Sequence, residues 1–165
     1  MSLQSDIEKL KLQEARLRFT KFDEADAWNL GCLLRDSAVH QKLPMVIDIR
    51  VGTRPLFYTA LPATSPENAE WVRRKFNSVM RYHKSTYRLG RELEVSGDSF
   101  DATRGVNPMD HAVKGGGFPI HIIGTGIVGS ITVSGVPQRE DHNFVVAGLA
   151  QFLKVELAGL ALDKE

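Results

Sequence analysis

A chain of 165 residues with 42% hydrophobic and 25% charged side chains has the make-up of one folded domain over residues 1–165, which excludes a disordered polymer. A net charge of +1 provides no overall field for nucleic acid or an anionic membrane surface, and no run of 18 apolar residues exists to span a bilayer. The single cysteine, Cys32, rules out an internal disulfide and a four-cysteine zinc site; with no apolar leader run in Met1–Lys21, a reducing cytoplasm is the expected setting.

Leu3, Ile7, Leu10 and Leu17 space as one helical stripe, while Leu17, Phe19 and Lys21 also fit the start of a short edge strand; both readings stay open. Asp23, with Asp26 three residues on, caps a helix that turns Ala27, Leu30, Leu34 and Ala38 inward and stops before Pro44. Met45, Ile47, Ile49 and Val51 alternate with Val46, Asp48 and Arg50, the period of a strand. Gly52–Pro55 turns the chain, and Leu56–Leu61 returns to complete a hairpin. Thr64, Ser65, Pro66 and Glu67 then open a helix, with a threonine–glutamate capping box, that runs to about Lys84. Wound at about 100° per residue, it places Val72, Phe76, Val79 and His83 on one face, Trp71, Lys75, Ser78 and Tyr82 on the next, and Arg74, Asn77 and Arg81 on another.

Residues 85–114 carry turn signals at Ser96–Gly97, Gly105 and Asn107–Pro108, with short helical turns between them. After Gly115, Gly116 and Gly117, strands over Phe118–Ile123 and Ile127–Val133 flank a Gly124–Thr125–Gly126 turn. Pro137 opens a last helix that is apolar nearly all round from Phe144 to Leu157, the mark of a central core helix or a subunit interface. Helices grouped around hairpins predict an α+β protein with an antiparallel sheet, not a doubly wound parallel one.

Gly124-Thr125-Gly126-Ile127-Val128-Gly129 matches the dinucleotide pattern, but a strand follows it where a helix N-terminus is needed, so a hairpin is expected instead. Ser134 lacks the flanking glycines of a nucleophile elbow and is expected to end its strand. His40, His83, His111, His121 and His142 show no local metal spacing. His83, on an apolar face, is expected to be partly buried and hydrogen-bonded. The triple glycine either lets backbone approach a ligand or allows positive φ before the strand. Arg73, Arg74, Lys75, Arg81, Lys84, Arg88 and Arg91 form the most basic stretch, read first as a solvated face and second as an anion site.

Taken together, Gly115-Gly116-Gly117-Phe118-Pro119-Ile120, Gly126, Val128-Gly129-Ser130-Ile131, Val133-Ser134-Gly135 and Asp141 resemble the signature of the haem-degrading-domain (GlcG/HbpS-like) superfamily. Asn68, Trp71, Arg74-Lys75, Asn77, Val79, Arg81-Tyr82 and Ser85 resemble its uncharacterised-protein branch, as do Leu30-Gly31, Ile47-Asp48-Ile49 and Leu56-Phe57. The resemblance spans about residues 13–160. It implies a profilin-like, three-layer α/β/α fold with a five-stranded antiparallel sheet, the fifth strand near Leu93–Val95, and homo-oligomers packed through helices. It also implies a small ligand, with haem or an anionic metabolite as candidates, and no agreed catalytic set. One departure concerns the first strand: relatives carry a valine–aspartate–x–glycine turn, whereas Asp48 here precedes Ile49, Arg50 and Val51 before Gly52, which reshapes the pocket edge. The candidate ligand site is Asp110, His111, Gly115, Gly116, Gly117 and His121, with Lys75 or Arg81 supplying positive charge. A non-catalytic assembly protein and an enzyme of unknown reaction are the alternatives.

Overall fold

The computed structural model describes residues 2–100 and 102–163. Helix α1 (Leu3–Arg16) buries Ile7, Leu10 and Gln13. The chain then runs to Phe19, whose N–H donates to the His121 carbonyl at 2.8 Å and whose carbonyl accepts from Ile123 at 2.8 Å. Helix and edge bridge thus both occur, one after the other. Helix α2 (Glu24–His40) starts as expected: Asp23 accepts from the Asp26 N–H at 2.9 Å, and the Asp23 N–H donates to the Asp26 carboxylate at 3.0 Å.

Strands β1 (Val46–Val51) and β2 (Arg54–Ala60) form the first hairpin, and β3 (Gly117–Ile122) and β4 (Gly126–Ser134) the second. The strand order is β2-β1-β4-β3, antiparallel throughout. At Gly129 the two central strands leave no room for a side chain: a Cβ there would lie 1.9 Å from the Arg50 carbonyl oxygen. The dinucleotide-like glycines therefore serve a hairpin.

The sheet has four strands, not five. Leu93–Val95 lies in helix α4 (Thr86–Ser96), capped by Ser85, which accepts from the Arg88 N–H at 3.3 Å. Helix α3 (Pro66–Tyr82) is capped one residue later than predicted, with the Ser65 N–H donating to Asn68 Oδ1 at 2.9 Å; the Thr64 hydroxyl donates back to the Leu61 carbonyl at 2.7 Å. His83 is its exposed, left-handed cap (φ 53°), not the partly buried residue expected. Helix α5 (Gln138–Leu153) opens at Pro137 and stops short of Leu157 because Lys154 turns left-handed.

Side-chain alternation assigns the layers. Ile47, Ile49, Phe57, Phe118, Ile120, Ile131 and Val133 share one sheet face and pack with Leu30 and Leu34 of α2 and Val145, Val146 and Leu149 of α5. The last helix thus turns Val145, Val146, Leu149 and Ala150 into the core, while Ala147 and Gln151 stay exposed. The other face carries Asp48, Ser130 and Thr132, all buried, beneath α3. Asp48 accepts from Arg50 Nε at 2.8 and 3.1 Å, so the departing segment of β1 turns its acid back along its own strand. Burial raises this carboxyl above the ordinary aspartate range, with Arg50 pulling it down.

The basic stretch does not form a free cationic patch. Arg73 pairs with Glu70 and Asp110, Lys84 and Arg88 with Glu92, Arg88 also with Glu14, and Arg91 with Glu94. No helix of the described residues is long and apolar enough to cross a membrane.

Candidate functional site

The winding that puts Trp71, Lys75 and Ser78 on one side of α3 turns Lys75 beneath the end of β4. Lys75 is 2% exposed. Its Nζ donates to the Val133 carbonyl at 2.9 Å and to Asp141 Oδ2 at 2.9 Å. Asp141 stands in the first turn of α5, where Pro137 starts the helix, and its second oxygen accepts the Val136 N–H at 3.1 Å. Helix start, strand end and α3 therefore meet at one buried ion pair.

The glycine loop closes this pair from the side. Gly116 has φ +119°, and a Cβ there would lie 2.5 Å from the Val133 carbonyl oxygen and 2.8 Å from Lys75 Nζ. Both expected roles of the loop coincide at Gly116: positive φ and close approach, here to the chain's own lysine. Burial draws the Lys75 ammonium below the ordinary lysine range, with Asp141 pulling it back up. Burial likewise pushes the Asp141 carboxyl up, with Lys75 and the Val136 and Gly135 amides pulling it down. Each partner is displaced toward its neutral form, which suits a pair able to exchange a proton.

An open cleft of about 420 Å³ adjoins the pair, walled by Asn68, Trp71, Lys114, Ser134 and Gln138 as well as Lys75 and Asp141. The Arg74 guanidinium lies over the Trp71 ring at 4.9 Å, and the Asn68 amide donates to the Ser134 hydroxyl at 3.4 Å. The cleft thus offers two cations, one carboxyl, two amides, a hydroxyl and an aromatic wall. A second cavity of about 490 Å³ lies between the end of α2 and α5, lined by Leu43, Pro137, Arg139 and Phe144 among others.

The sequence-selected residues divide into three places. Lys75 and Gly116 belong to the cleft pair, with Gly115 beside them and Gly117 turned to Thr86, whose hydroxyl accepts its N–H at 3.0 Å. Asp110, His111 and Arg81 lie with the loop over the outer side of α3. Asp110 accepts from Arg73 at 3.0 Å and Asn107 at 2.8 Å, His111 Nδ1 lies 3.0 Å from the Asn107 carbonyl, and Arg81 donates to the Arg104 carbonyl at 3.1 Å. His121 is near the far end of β3, its imidazole lowered by burial and by the Arg18 and His83 charges. Asp141, Lys114, Trp71, Asn68 and Ser134 were not among the selected residues. The helical winding of α3 did hold a signal, since it set Trp71 and Lys75 side by side.

A polar knot lies on the other side of α5. Arg139 donates to Asp6 at 2.7 and 3.2 Å and to the Tyr87 hydroxyl at 3.1 Å. His142, fully buried, stacks on Tyr87 with ring centroids 5.2 Å apart and has Nε2 2.7 Å from Gln13 Oε1. Gln13 in turn donates to the Leu160 carbonyl at 2.6 Å, joining α1 to the C-terminal segment.

Fold and site together define an α+β protein with a polar cleft where its antiparallel sheet meets its last helix, rather than a doubly wound nucleotide-binding protein. The chain belongs to the family described as haem degrading protein HbpS-like, which it matches over residues 22–150. It is 47% identical to a UPF0303 protein of Rhizobium rhizogenes (strain K84) over 163 residues, covering 99% of this chain and 100% of that one. It is 45% identical to a UPF0303 protein of Azotobacter vinelandii over 163 residues, covering 99% and 98%. Among solved structures, the Ybr137w protein superposes with a TM-score of 0.82 at 26% identity, covering 92% of this chain and 94% of that one. A PduOC:heme complex gives 0.66 at 17% identity, covering 78% and 93%, a likeness of fold.

Haem iron takes histidine, cysteine, methionine or tyrosine as protein ligands. Among the described residues none of these lines either cavity, and no cluster of His, Cys, Asp and Glu gathers for a metal. His142 is committed to Gln13 and Tyr87, away from both. The residues lining these two cavities do not fit a haem iron.

Proposed function

We propose that this protein binds a small anionic metabolite, a carboxylate or a phosphate, in the cleft between α3, the glycine loop and the start of α5. The observation that carries the reading is the state of Lys75. A lysine ammonium has three donors; Val133 and Asp141 take two, and Lys75 is itself part of the cleft wall. Lys114, exposed on the same wall, adds a cation that Asp141 does not neutralise, while Trp71 offers a flat apolar surface. Self-association belongs to the same reading, supported by the exposed Trp28, at 61%, and Tyr58, at 50%; a cytoplasmic setting goes with the single, unpaired cysteine.

Thermal unfolding with pyruvate, inorganic phosphate and haemin tests it. A bound probe at 100 times its dissociation constant adds about 2.7 kcal/mol of stability. The gain should fall in Lys114→Ala and Trp71→Ala and persist in Arg81→Ala and His111→Ala. No gain with any probe overturns the reading. A saturable haemin spectrum abolished by His111→Ala would move the site to the loop over α3.

A further inference from the structure

We propose that the ligand of this cleft is a small carbonyl compound bearing an anionic group, of the 2-oxo acid type, and that Lys75 captures it covalently as an imine. The inference rests on the anion-binding reading of the same cleft and adds a reaction to it.

The geometry around Nζ is that of a held amine. Once the Lys75 ammonium releases its third proton, the one that neither Val133 nor Asp141 accepts, the amine keeps two N–H bonds and one lone pair. The Val133 carbonyl and Asp141 Oδ2, both at 2.9 Å, account for the two N–H bonds. The remaining tetrahedral position has no protein partner among the described residues, and Lys75 lines the cleft. The nitrogen is thereby fixed on two sides, in a side chain that forms part of the cleft wall. Gly116 leaves room for the held nitrogen, since a side chain there would begin 2.8 Å from Nζ.

A buried ammonium is also easier to deprotonate than an exposed one, which is how imine-forming lysines are activated at neutral pH. The charged groups around Lys75 are Asp141 from α5 and Lys114 from the glycine loop, while Arg74, on the same helix, is turned onto Trp71. Lys114, on the wall of the same cleft, would hold the carboxylate of a 2-oxo acid whose carbonyl carbon meets Nζ.

The chemistry balances without an oxidant or reductant. The Lys75 lone pair adds to the carbonyl carbon, and the carbonyl π pair moves to oxygen. The added nitrogen gives one proton to the Asp141 carboxylate, which passes it to that oxygen to form the carbinolamine. The nitrogen lone pair then closes the C=N bond as the hydroxyl leaves, and the second N–H proton, taken up by Asp141, goes to that hydroxyl to make water. One carbonyl compound and one amine become one imine and one water. Asp141 acts here as a proton relay and a positioning group.

The test is reductive trapping of the full chain. The protein is incubated with pyruvate or glyoxylate at neutral pH, reduced with borohydride and mapped by peptide mass. The expected result is a single saturable adduct on the peptide carrying Lys75, forming faster than on any exposed lysine, since burial favours the free amine there. Lys75→Arg should keep the folded transition and form no adduct there. Asp141→Asn should slow capture and shift its pH profile, which a purely structural role would leave in place. Mapping the unaltered chain decides the matter even if a variant fails to fold. Pyruvate that stabilises the protein through Lys114 yet leaves no adduct on Lys75 overturns the imine and spares the anion site. Adducts spread evenly over exposed lysines also overturn the imine. Neither stabilisation nor adduct removes both readings.

Discussion

Lowering the pH puts a charge onto His142 that its surroundings oppose. The Gln13 amide donates to the Leu160 carbonyl through Nε2, so its Oε1 is the atom facing the ring at 2.7 Å. The imidazole must then carry its proton on Nε2 and leave Nδ1 bare. Nδ1 has no partner among the described residues. Burial first, and the Arg139 charge second, lower the ring from 6.5 to about 3, with Asp6 pulling weakly the other way. The folded value lies below the unfolded one, so between them the unfolded chain binds more protons. Stability from this group is whole above about pH 6.5 and is lost as pH falls toward 3. At about pH 4.5 the loss is on the order of 3 kcal/mol, and near pH 3 it approaches about 5 kcal/mol. Urea unfolding at pH 7 and pH 4.5 measures it against His142→Phe, which keeps the stack on Tyr87 and cannot titrate. The variant should be weaker at pH 7, because Gln13 loses its donor, by about 1–3 kcal/mol. Its decline between the two pH values should be shallower by on the order of 3 kcal/mol. Parallel declines in the two proteins would refute the argument.

Breaking the cleft pair from one side should be costly: Lys75→Met strands Asp141 and should lose about 3–5 kcal/mol in urea unfolding, whereas Lys75→Met/Asp141→Leu should regain most of it. Gly116→Ala puts a Cβ against the Val133 carbonyl at a φ that L residues avoid, and should lower stability by about 2 kcal/mol or more in thermal melts. Arg81→Ala, at an exposed side chain, should stay within about 0.5 kcal/mol of the parent and leave pyruvate binding unchanged.

Much of the fold is legible in the chain because its signals are local. The alternation of Ile47 and Ile49, the Asp23–Asp26 cap and Pro137 each act within a few residues, and each lies where its pattern predicts. Helix α4 was not legible. Its apolar residues are few and Gly90 stands in its middle, where tertiary contact favours glycine because a Cβ would meet the Val113 carbonyl at 2.5 Å. The candidate site was half legible for the same reason. Trp71 and Lys75 are one helical turn apart and could be paired by winding. Asp141 lies 66 residues from Lys75 and joins it only when the sheet brings β4 and α5 over α3. His111 and Asp110 adjoin the glycines in sequence, but the loop carries them to the outer side of α3, where Asn77 and Arg74 bind its carbonyls. Chain proximity suggested a cluster that the fold separates.

The knot around His142 bears on where this protein can be cut. The family match runs from 22 to 150, yet Asp6 and Gln13 precede that span, and Leu160 and the Asp163 carbonyl, which accepts from Arg139 Nε at 2.7 Å, follow it. A fragment trimmed to the matched limits would keep all four strands and most of α5 while uncovering Tyr87, Arg139 and His142 together. It would hold a bare imidazole and a guanidinium without its acid on what had been the inside. The stretch by which this protein is recognised is shorter than the stretch that seals it.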